Sequence, residues 1–308
     1  MLTRSRSLMI AAWTTLVTQI VIVGTGGAVR LTGSGLGCSQ WPNCTPGSFT
    51  PVPEQGIHGI IEFANRVNGG IVVGVAAVML VMALVQRAGR LIVTLAALIL
   101  GLTVAQALIG AVVVWMELRP DTVGVHFYLS VILVGLAAVL AWKVVVGPAG
   151  PRTAPRWQSL LVHAMTLVLA IVIFVGVLTT GSGPHAGDGG AARNGLDPAI
   201  MQHVHAIPGY VLLALVLGVV VAAAVRGPRA HLRWSLALLG MILVQIVIGI
   251  VQSDTGLPVL LVGIHMVVSV VITALGVATV LSLRPSVRAD ASTDVADALD
   301  AAQAPASA

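Results

Sequence analysis

The stretch His58-Gly-Ile-Ile-Glu62-Phe-Ala-Asn65-Arg66 stands directly before an apolar run, residues 67–85, and together they decide the fold. Those nineteen residues carry no charge and are long enough to cross the roughly 30 Å hydrocarbon core of a bilayer. Ionisable groups at a membrane face are costly and usually functional, so Glu62 and Arg66 are candidate functional residues. Positions 58, 62, 65 and 66 are spaced to share one helix face. The simpler interpretation is an i,i+4 ion pair between Glu62 and Arg66.

The composition extends this pattern to the whole chain. Of 308 residues, 57% are hydrophobic and only 9% are charged, and the mean hydropathy is +1.01. These values are typical of a polytopic helical membrane protein. The formal charge of +5, from 16 basic and 11 acidic residues, then reports on topology and not on nucleic-acid binding. The first apolar run is too long for a removable signal peptide and lacks a clean cleavage site, so we interpret it as the first span.

Eight apolar runs are long enough to be transmembrane helices. They fall near residues 8–28, 58–86, 92–115, 123–147, 158–180, 199–225, 232–252 and 258–283. Twelve of the sixteen basic residues lie on one side of these spans, and only Arg30, Arg66, Arg119 and Arg193 lie on or near the other. We therefore predict an all-α polytopic protein of the bacterial cytoplasmic membrane with both termini in the cytoplasm. Residues 284–308, rich in Ala, Ser and Asp, are predicted to be a disordered cytoplasmic tail.

The loop after the first span, residues 29–57, is too long for a plain connector and rich in turn residues. We expect it to fold over the outer face as a lid. It holds the chain's two cysteines, Cys38 and Cys44, on the oxidising side of the membrane. A disulfide closing a short loop is the natural interpretation, and a metal site or a redox-active pair is the alternative.

An internal repeat relates the two halves of the chain. The corresponding positions are Gln106 and Gln245, Gly110 and Gly249, His126 and His265, Glu62 and Gln202, and Asn65 and His205. The sequence therefore predicts two four-span halves, residues 1–147 and 157–283. Because four is even, both halves enter the membrane from the same side, and a pseudo-twofold axis along the membrane normal should relate them.

Four polar side chains of this repeat are predicted to lie at one depth. Asn65, His126, His205 and His265 precede the next cytoplasmic basic residue by 17 to 22 positions. At 1.5 Å per residue this places them roughly 25–33 Å from the cytoplasmic boundary, near the outer leaflet. Side chains from the second and fourth helix of each half can then face one another across a four-helix core, where bundles hold cofactors.

His205 and His265 would suit a six-coordinate heme iron, because neutral imidazole is a common axial ligand. A zinc ion fits less well, since no carboxylate or thiol joins the pair. The first half differs, because Asn65 stands where the repeat predicts a histidine and an amide is a poor iron ligand. This half is predicted to hold a heme with one strong ligand, His126, and an acid, Glu62, beside an open position. One closed and one reactive site indicate an enzyme with its own electron relay.

The other histidines have other interpretations. His163 has no partner at its depth and is interpreted as structural, and His231 as a cytoplasmic loop residue. His203 lies two positions before a candidate ligand and therefore on another helix face. His58 and His185 lie at or beyond the mouth, for contact with heme propionates or with solvent.

These residues resemble the heme A synthase family over nearly all of residues 9–283. The resemblance is carried by the motif Val29-Arg30-Leu-Thr-Gly-Ser-Gly-Leu-Gly-Cys38 with Trp41-Pro42, by the segment from Gln106 to His126, and by both second-half histidines. It implies an enzyme that oxidises a methyl group of heme O to the formyl group of heme A. It also implies a b-type heme on His205 and His265, a heme O site in the first half ligated by His126, and Glu62 as the functional carboxylate.

The sequence departs from the commonest family pattern, Glu-x-x-His-Arg, at Asn65. Either His126 ligates alone and Asn65 holds a distal water or oxygen, or His58 swings in as the second ligand. We favour His126 alone. The predicted heme O site thus comprises His126, Asn65, Arg66 and His58.

The leading hypothesis is hydroxylation of the heme O methyl group, twice, followed by collapse of the gem-diol to the aldehyde. Glu62 would transfer protons near the reacting carbon, and electrons would arrive through the second-half heme. The alternatives are a non-catalytic diheme carrier that oxidises quinol and a heme-delivery or oxidase-assembly protein without turnover. The expected partners are heme O, the lipid bilayer, a quinol or ferredoxin-like electron donor, heme O synthase, cytochrome oxidase assembly factors and further copies of the chain as a homo-oligomer, but no nucleic acid.

Overall fold

A computed structural model of the protein describes residues 5–151 and 154–284. The helices in these ranges are α1 (Arg6–Leu31), α2 (Gly56–Val85), α3 (Arg90–Trp115), α4 (Pro120–Val145), α5 (Arg156–Ser182), α6 (Pro198–Arg226), α7 (Arg229–Asp254) and α8 (Val259–Leu281). All eight α-helices of this part of the chain are long and apolar enough to cross a membrane. The predicted all-α fold with eight spans is confirmed. The predicted disordered tail, beyond Arg284, lies outside the described residues.

The apolar runs form helices because a bilayer offers the backbone no hydrogen-bond partners and a helix satisfies its polar groups within the segment. The start of α6 is also fixed locally. Pro198 occupies the first turn, where its missing N–H costs nothing. Asp197 caps the helix, because its Oδ1 accepts hydrogen bonds from the backbone N–H groups of Ala199 at 2.8 Å and Ile200 at 3.1 Å. These interactions set the register of the helix that carries His205.

The helices pack as two rings of four. In the first bundle, α1 and α3 each pack against both α2 and α4. In the second bundle, α5 and α7 each pack against both α6 and α8. Among the described residues α2 does not pack against α4, nor α6 against α8, so these helices lie diagonally across their bundles. The space between each diagonal pair is where side chains of the second and fourth helices meet.

Glycines line the contact between the two bundles, which α8 makes with α1 and α4, and α4 makes with α5. A Cβ atom on Gly24 would lie 3.3 Å from Val267, and one on Gly27 would lie 3.4 Å from the methyl group of Met266. Small residues let membrane helices approach closely where dispersion forces, and not the hydrophobic effect, hold them together. The helix that carries His265 is therefore packed tightly against α1.

One interpretation from the sequence is wrong. His231 is not a loop residue but lies in the first turn of α7, is fully buried, and shares a 3.0 Å hydrogen bond between its Nδ1 and Ser282 Oγ. The apolar run starts only at residue 232, whereas the helix begins at Arg229, directly after Pro228. Hydropathy alone missed this turn because its residues are polar.

We predict that Gly124→Ala destabilises the contact between the bundles. A Cβ atom on Gly124 would lie only 2.9 Å from Cγ1 of Val177 on α5, a short and stiff side chain. Overpacking of this kind costs about 1–3 kcal/mol, so thermal unfolding in detergent should occur at lower temperature. Gly74→Ala is the control, because no atom lies within 4 Å of its added Cβ. Equal unfolding temperatures for the two variants would contradict the prediction.

Candidate functional site

Two histidines face each other inside the second bundle. The ring centroids of His205 on α6 and His265 on α8 lie 6.3 Å apart, and the ring planes are inclined at 70°. Because α6 and α8 do not pack directly within the described part of the chain, the two rings meet across the bundle interior. The sequence predicted this pair from the internal repeat and from equal depth, and the structure brings the two residues together.

The spacing of the two rings fits one metal ion between them. Imidazole nitrogens bind first-row metal ions at about 2.0–2.1 Å, so two nitrogens on opposite sides of an ion lie about 4 Å apart. The ring centroids are 6.3 Å apart, which is about 2 Å more than this separation of the nitrogens. The difference corresponds to about 1 Å in each ring, roughly the distance from a ring nitrogen to the ring centroid. The pair therefore fits the axial ligation of a heme iron.

The candidate ligands differ from the other histidines in their hydrogen bonds. Nδ1 of His126, of His205 and of His265 is buried without a hydrogen-bond partner among the described residues. In four other histidines an imidazole nitrogen is hydrogen-bonded: His58 to Ser34 Oγ at 2.9 Å, His163 to the Ser159 carbonyl at 2.6 Å, His185 to the Leu257 carbonyl at 2.9 Å, and His231 to Ser282 Oγ at 3.0 Å. Buried polar groups are rarely left unpaired, so these ring nitrogens fit the role of ligands to a metal.

A glycine of α5 positions the ring of His205. A Cβ atom on Gly176 would lie 2.9 Å from Cε1 of His205, so the ring lies directly on the α5 backbone. This contact fixes the position of the ring in the bundle interior.

A glutamine and a glycine of the preceding helix support both His126 on α4 and His265 on α8. Gln106 Nε2 donates to the His126 carbonyl at 2.8 Å, and Gln245 Nε2 donates to the His265 carbonyl at 3.0 Å. Both rings also rest on a glycine of the preceding helix: a Cβ atom on Gly110 would lie 3.6 Å from Cε1 of His126, and the repeat-related glycine of α7 lies similarly close to His265. The repeat read in the sequence therefore corresponds to repeated contacts that hold both histidines.

Asn65 occupies the first-half position that corresponds to His205. Its Oδ1 accepts a 2.7 Å hydrogen bond from the hydroxyl of Thr25 on α1. The same hydroxyl oxygen accepts a 3.0 Å hydrogen bond from Nδ2 of Asn68. The side chain of Asn65 is therefore held by a polar chain that joins α1 to α2.

Glu62 and Arg66 form the predicted ion pair, at 2.6 Å, and it is the centre of a larger cluster. Arg66 directs all five of its N–H groups to acceptors: Glu62 Oε1 receives two, and the backbone carbonyls of Cys38, Gln40 and Asn43 receive one each. The other oxygen of Glu62 accepts a 2.6 Å hydrogen bond from the backbone N–H of Cys38. Both side chains thus anchor the α1–α2 loop, residues 32–55, to α2.

The α1–α2 loop contains the predicted disulfide. Cys38 and Cys44 are bonded to each other and both are fully buried, which confirms the disulfide and excludes a metal site on their thiolates. His58, on the exposed first turn of α2, bonds this loop through Ser34. The structure therefore places His58 in the contact between loop and helix.

Backbone packing and aromatic contacts hold the same loop. A Cβ atom on Gly37 would lie 2.2 Å from the carbonyl oxygen of His58, so only glycine fits there. Gln55 Nε2 donates to the Gly37 carbonyl. Trp41 packs edge-to-face on Trp115 at the end of α3, with centroids 6.2 Å apart. The loop is thus held by contacts with α2 and α3 in addition to its own disulfide.

Arg30, near the end of α1, bonds the end of α5 and the loop that follows it, which sequence reasoning did not anticipate. Its Nε donates to the His185 carbonyl at 2.9 Å and its Nη2 to the Thr180 carbonyl at 3.1 Å. The backbone N–H of Gly35 donates to the Gly187 carbonyl at 2.8 Å beside it. The signal was available, because Arg30 is a cation at the end of an apolar run.

Comparisons with known proteins agree with the family resemblance. The family model described as cytochrome oxidase assembly protein (COX15-CtaA) matches residues 9–278. Three similar curated proteins are each named heme A synthase. The protein of Bacillus pumilus is 34% identical over 43% of this chain and 42% of its own length. The proteins of Lysinibacillus sphaericus and Bacillus cereus are 29% and 31% identical, over 53% and 55% of this chain and 54% and 55% of their own lengths, respectively. The chain spans about half the length of the curated relatives it matches.

Arg66→Met should expose the disulfide to reduction. The substitution keeps an apolar stem but removes all five hydrogen bonds that hold the α1–α2 loop on α2. Reduction of Cys38–Cys44 by a membrane-impermeant phosphine, followed by thiol labelling, should then be faster than in the wild type. Arg119→Met is the control, because the Arg119–Asp121 pair is exposed and such pairs contribute little. Unchanged reduction kinetics in Arg66→Met would show that the loop does not depend on this anchor.

Proposed function

This chain belongs to the cytochrome oxidase assembly protein family, and we propose that it is a heme A synthase. It oxidises the methyl group of heme O to the formyl group of heme A through hydroxylated intermediates. The similar proteins of Bacillus pumilus, Lysinibacillus sphaericus and Bacillus cereus carry that name, which supports the substrate and the product. The observation that carries the proposal is the histidine pair across the second bundle, together with a first bundle that keeps only one of the two histidines.

The second bundle holds a heme b between His205 and His265. When bound there, the heme supplies electron transfer. His205 and His265 would both hold this heme, which suits an electron carrier and not a site that binds a further ligand. Gly176 and Gly249 position these two rings by close packing, and Gln245 does so through its hydrogen bond to the His265 carbonyl.

The first bundle takes heme O as its substrate, with His126 as ligand. His126 is held by Gln106 and Gly110 as His265 is held in the second bundle, which supports a similar ligand role. Asn65 provides an amide where the other bundle provides an imidazole, and an amide is a poor iron ligand. The first site therefore keeps one position open, as oxidation of a bound substrate requires.

Glu62 is the carboxylate that takes up protons during the oxidation. It is buried, on the face of α2 that also carries Asn65, and its two oxygens are bonded to Arg66 and to the Cys38 backbone. Hydroxylation of the methyl group breaks a C–H bond and couples electron transfer to proton transfer, and a buried site must relay those protons. Accepting a proton weakens the bonds of Glu62 to Arg66 and Cys38, so the role in proton transfer and the anchoring of the α1–α2 loop involve the same atoms.

We expect cells that make heme O but no heme A to accumulate heme A when they express this chain, as shown by pigment extraction and chromatography. Glu62→Gln should retain bound heme and stop the conversion, because it removes the titrating group with little change of shape. Asp121→Asn, at an exposed ion pair, is the control for a lost carboxylate. Heme binding without any heme A in wild-type cells would favour the non-catalytic electron carrier instead.

His205→Ala should abolish the low-spin b-type spectrum of the purified protein, because a site with one remaining imidazole is no longer six-coordinate. His163→Ala should leave that spectrum unchanged, since the exposed ring of His163 only bonds a carbonyl of its own helix. Optical spectra of the reduced proteins at matched concentrations provide the measurement. A wild-type spectrum in His205→Ala would mean that the ligand assignment is wrong.

A further inference from the structure

A polar chain of three side chains lies inside otherwise apolar helices of the first bundle. Asn68 Nδ2 donates to Thr25 Oγ1 at 3.0 Å, and the Thr25 hydroxyl donates to Asn65 Oδ1 at 2.7 Å. The distance from the same hydroxyl to the Ile22 carbonyl is longer, 3.2 Å, so the bond to Asn65 is the better one. Thr25 and Asn68 take part in neither the heme ligation nor the anchoring of the α1–α2 loop.

The order of donors and acceptors along this chain orients the Asn65 amide. An amide nitrogen only donates, so Asn68 Nδ2 makes Thr25 Oγ1 an acceptor and leaves its hydrogen for Asn65. A length of 2.7 Å is typical of an O–H···O bond and short for N–H···O, which places the carbonyl oxygen of Asn65 towards Thr25. The two N–H groups of Asn65 then point away from Thr25, and they have no acceptor within the described residues.

The position of Asn65 in the bundle indicates where those N–H groups act. His205, its counterpart, lies on the α5 backbone at Gly176 and faces His265 across the bundle. Asn65 likewise lies beside the preceding helix, because a Cβ atom on Gly26 would be 4.0 Å from its Oδ1. The helix diagonally opposite α2 is α4, which carries His126.

We propose that Thr25 and Asn68 are positioning residues, which orient the Asn65 amide so that its N–H groups donate to the oxygen of a small ligand held opposite His126. The proposal rests on the proposed function, because a heme ligated by His126 brings that ligand into place. It assigns to the first bundle a neutral hydrogen-bond donor, where the second bundle has a second imidazole. Asn65 then selects ligands with an oxygen lone pair, and Thr25 acts only through Asn65.

Carbon monoxide is the probe for this donor. It binds a ferrous heme with an open position and is excluded by the two-imidazole site, so it reports on the first bundle alone. A donor to its oxygen lowers the C–O stretching frequency. In the full-length, heme-loaded and reduced protein, Asn65→Leu and Thr25→Val should both shift this infrared band to higher frequency, and Thr25→Ser, which restores the hydroxyl, should return it to the wild-type position.

Thr18→Val is the matched control, because the hydroxyl of Thr18 on the same helix bonds only carbonyls of its own helix. The low-spin spectrum of the second-bundle heme checks folding in each variant. If Thr25→Val lacks that spectrum, Asn68→Ala takes its place with the same expected shift, since it removes the other end of the polar chain.

Each outcome decides a different point. A shift in Asn65→Leu without one in Thr25→Val or Asn68→Ala overturns the positioning role of Thr25 and Asn68. An unshifted band in Asn65→Leu, or a wild-type protein that binds no carbon monoxide, overturns the donor role of Asn65. Conversion of heme O is measured separately: the expected shifts without any heme A would refute the proposed function and leave the donor assignment standing.

Discussion

An imidazole in the interior of a membrane bundle needs an interaction partner for its ring nitrogens, and the packing of the second bundle depends on how its two imidazoles are positioned. Buried polar groups without hydrogen bonds are costly where no water reaches them. His205 and His265 are instead set 6.3 Å apart, on helices that do not touch within the described chain, and are held by glycines and a glutamine of their neighbours. The two rings are thus fixed by their neighbours at a spacing that fits one metal ion, and the same kind of support recurs at His126.

The first bundle departs from this arrangement at one position and uses its polar residues differently. Asn65 bonds Thr25 on α1, while Glu62 and Arg66, on the same helix, hold the α1–α2 loop through its backbone. A carboxylate that anchors a loop through an ion pair cannot change its charge without weakening that anchor. The position of the loop therefore depends on the charge of Glu62.

Hydropathy predicted the eight spans because apolar length is a strong signal, and counting residues predicted that His205 and His265 share a depth. The Glu62–Arg66 pair was also predictable, since i,i+4 spacing fixes it locally. The contacts of Arg66 with the carbonyls of Cys38 and Gln40 were not, because loop backbone conformation leaves no periodic pattern. Thr25 and Asn68 stood out only as polar residues in apolar runs. Their pairing depends on how α1 and α2 are rotated about their axes, which apolar helices in lipid do not reveal.

The α1–α2 loop also has a consequence for the order in which the protein can be completed. It leaves the ribosome early, since chains are made from the N-terminus, but its partners are made progressively later. Arg66 follows it in the next helix, Trp115 closes the third, and the Gly187 carbonyl belongs to the second bundle. The loop therefore cannot complete its contacts until residue 187 has been synthesised. Its final contact requires the first bundle together with the loop that follows α5.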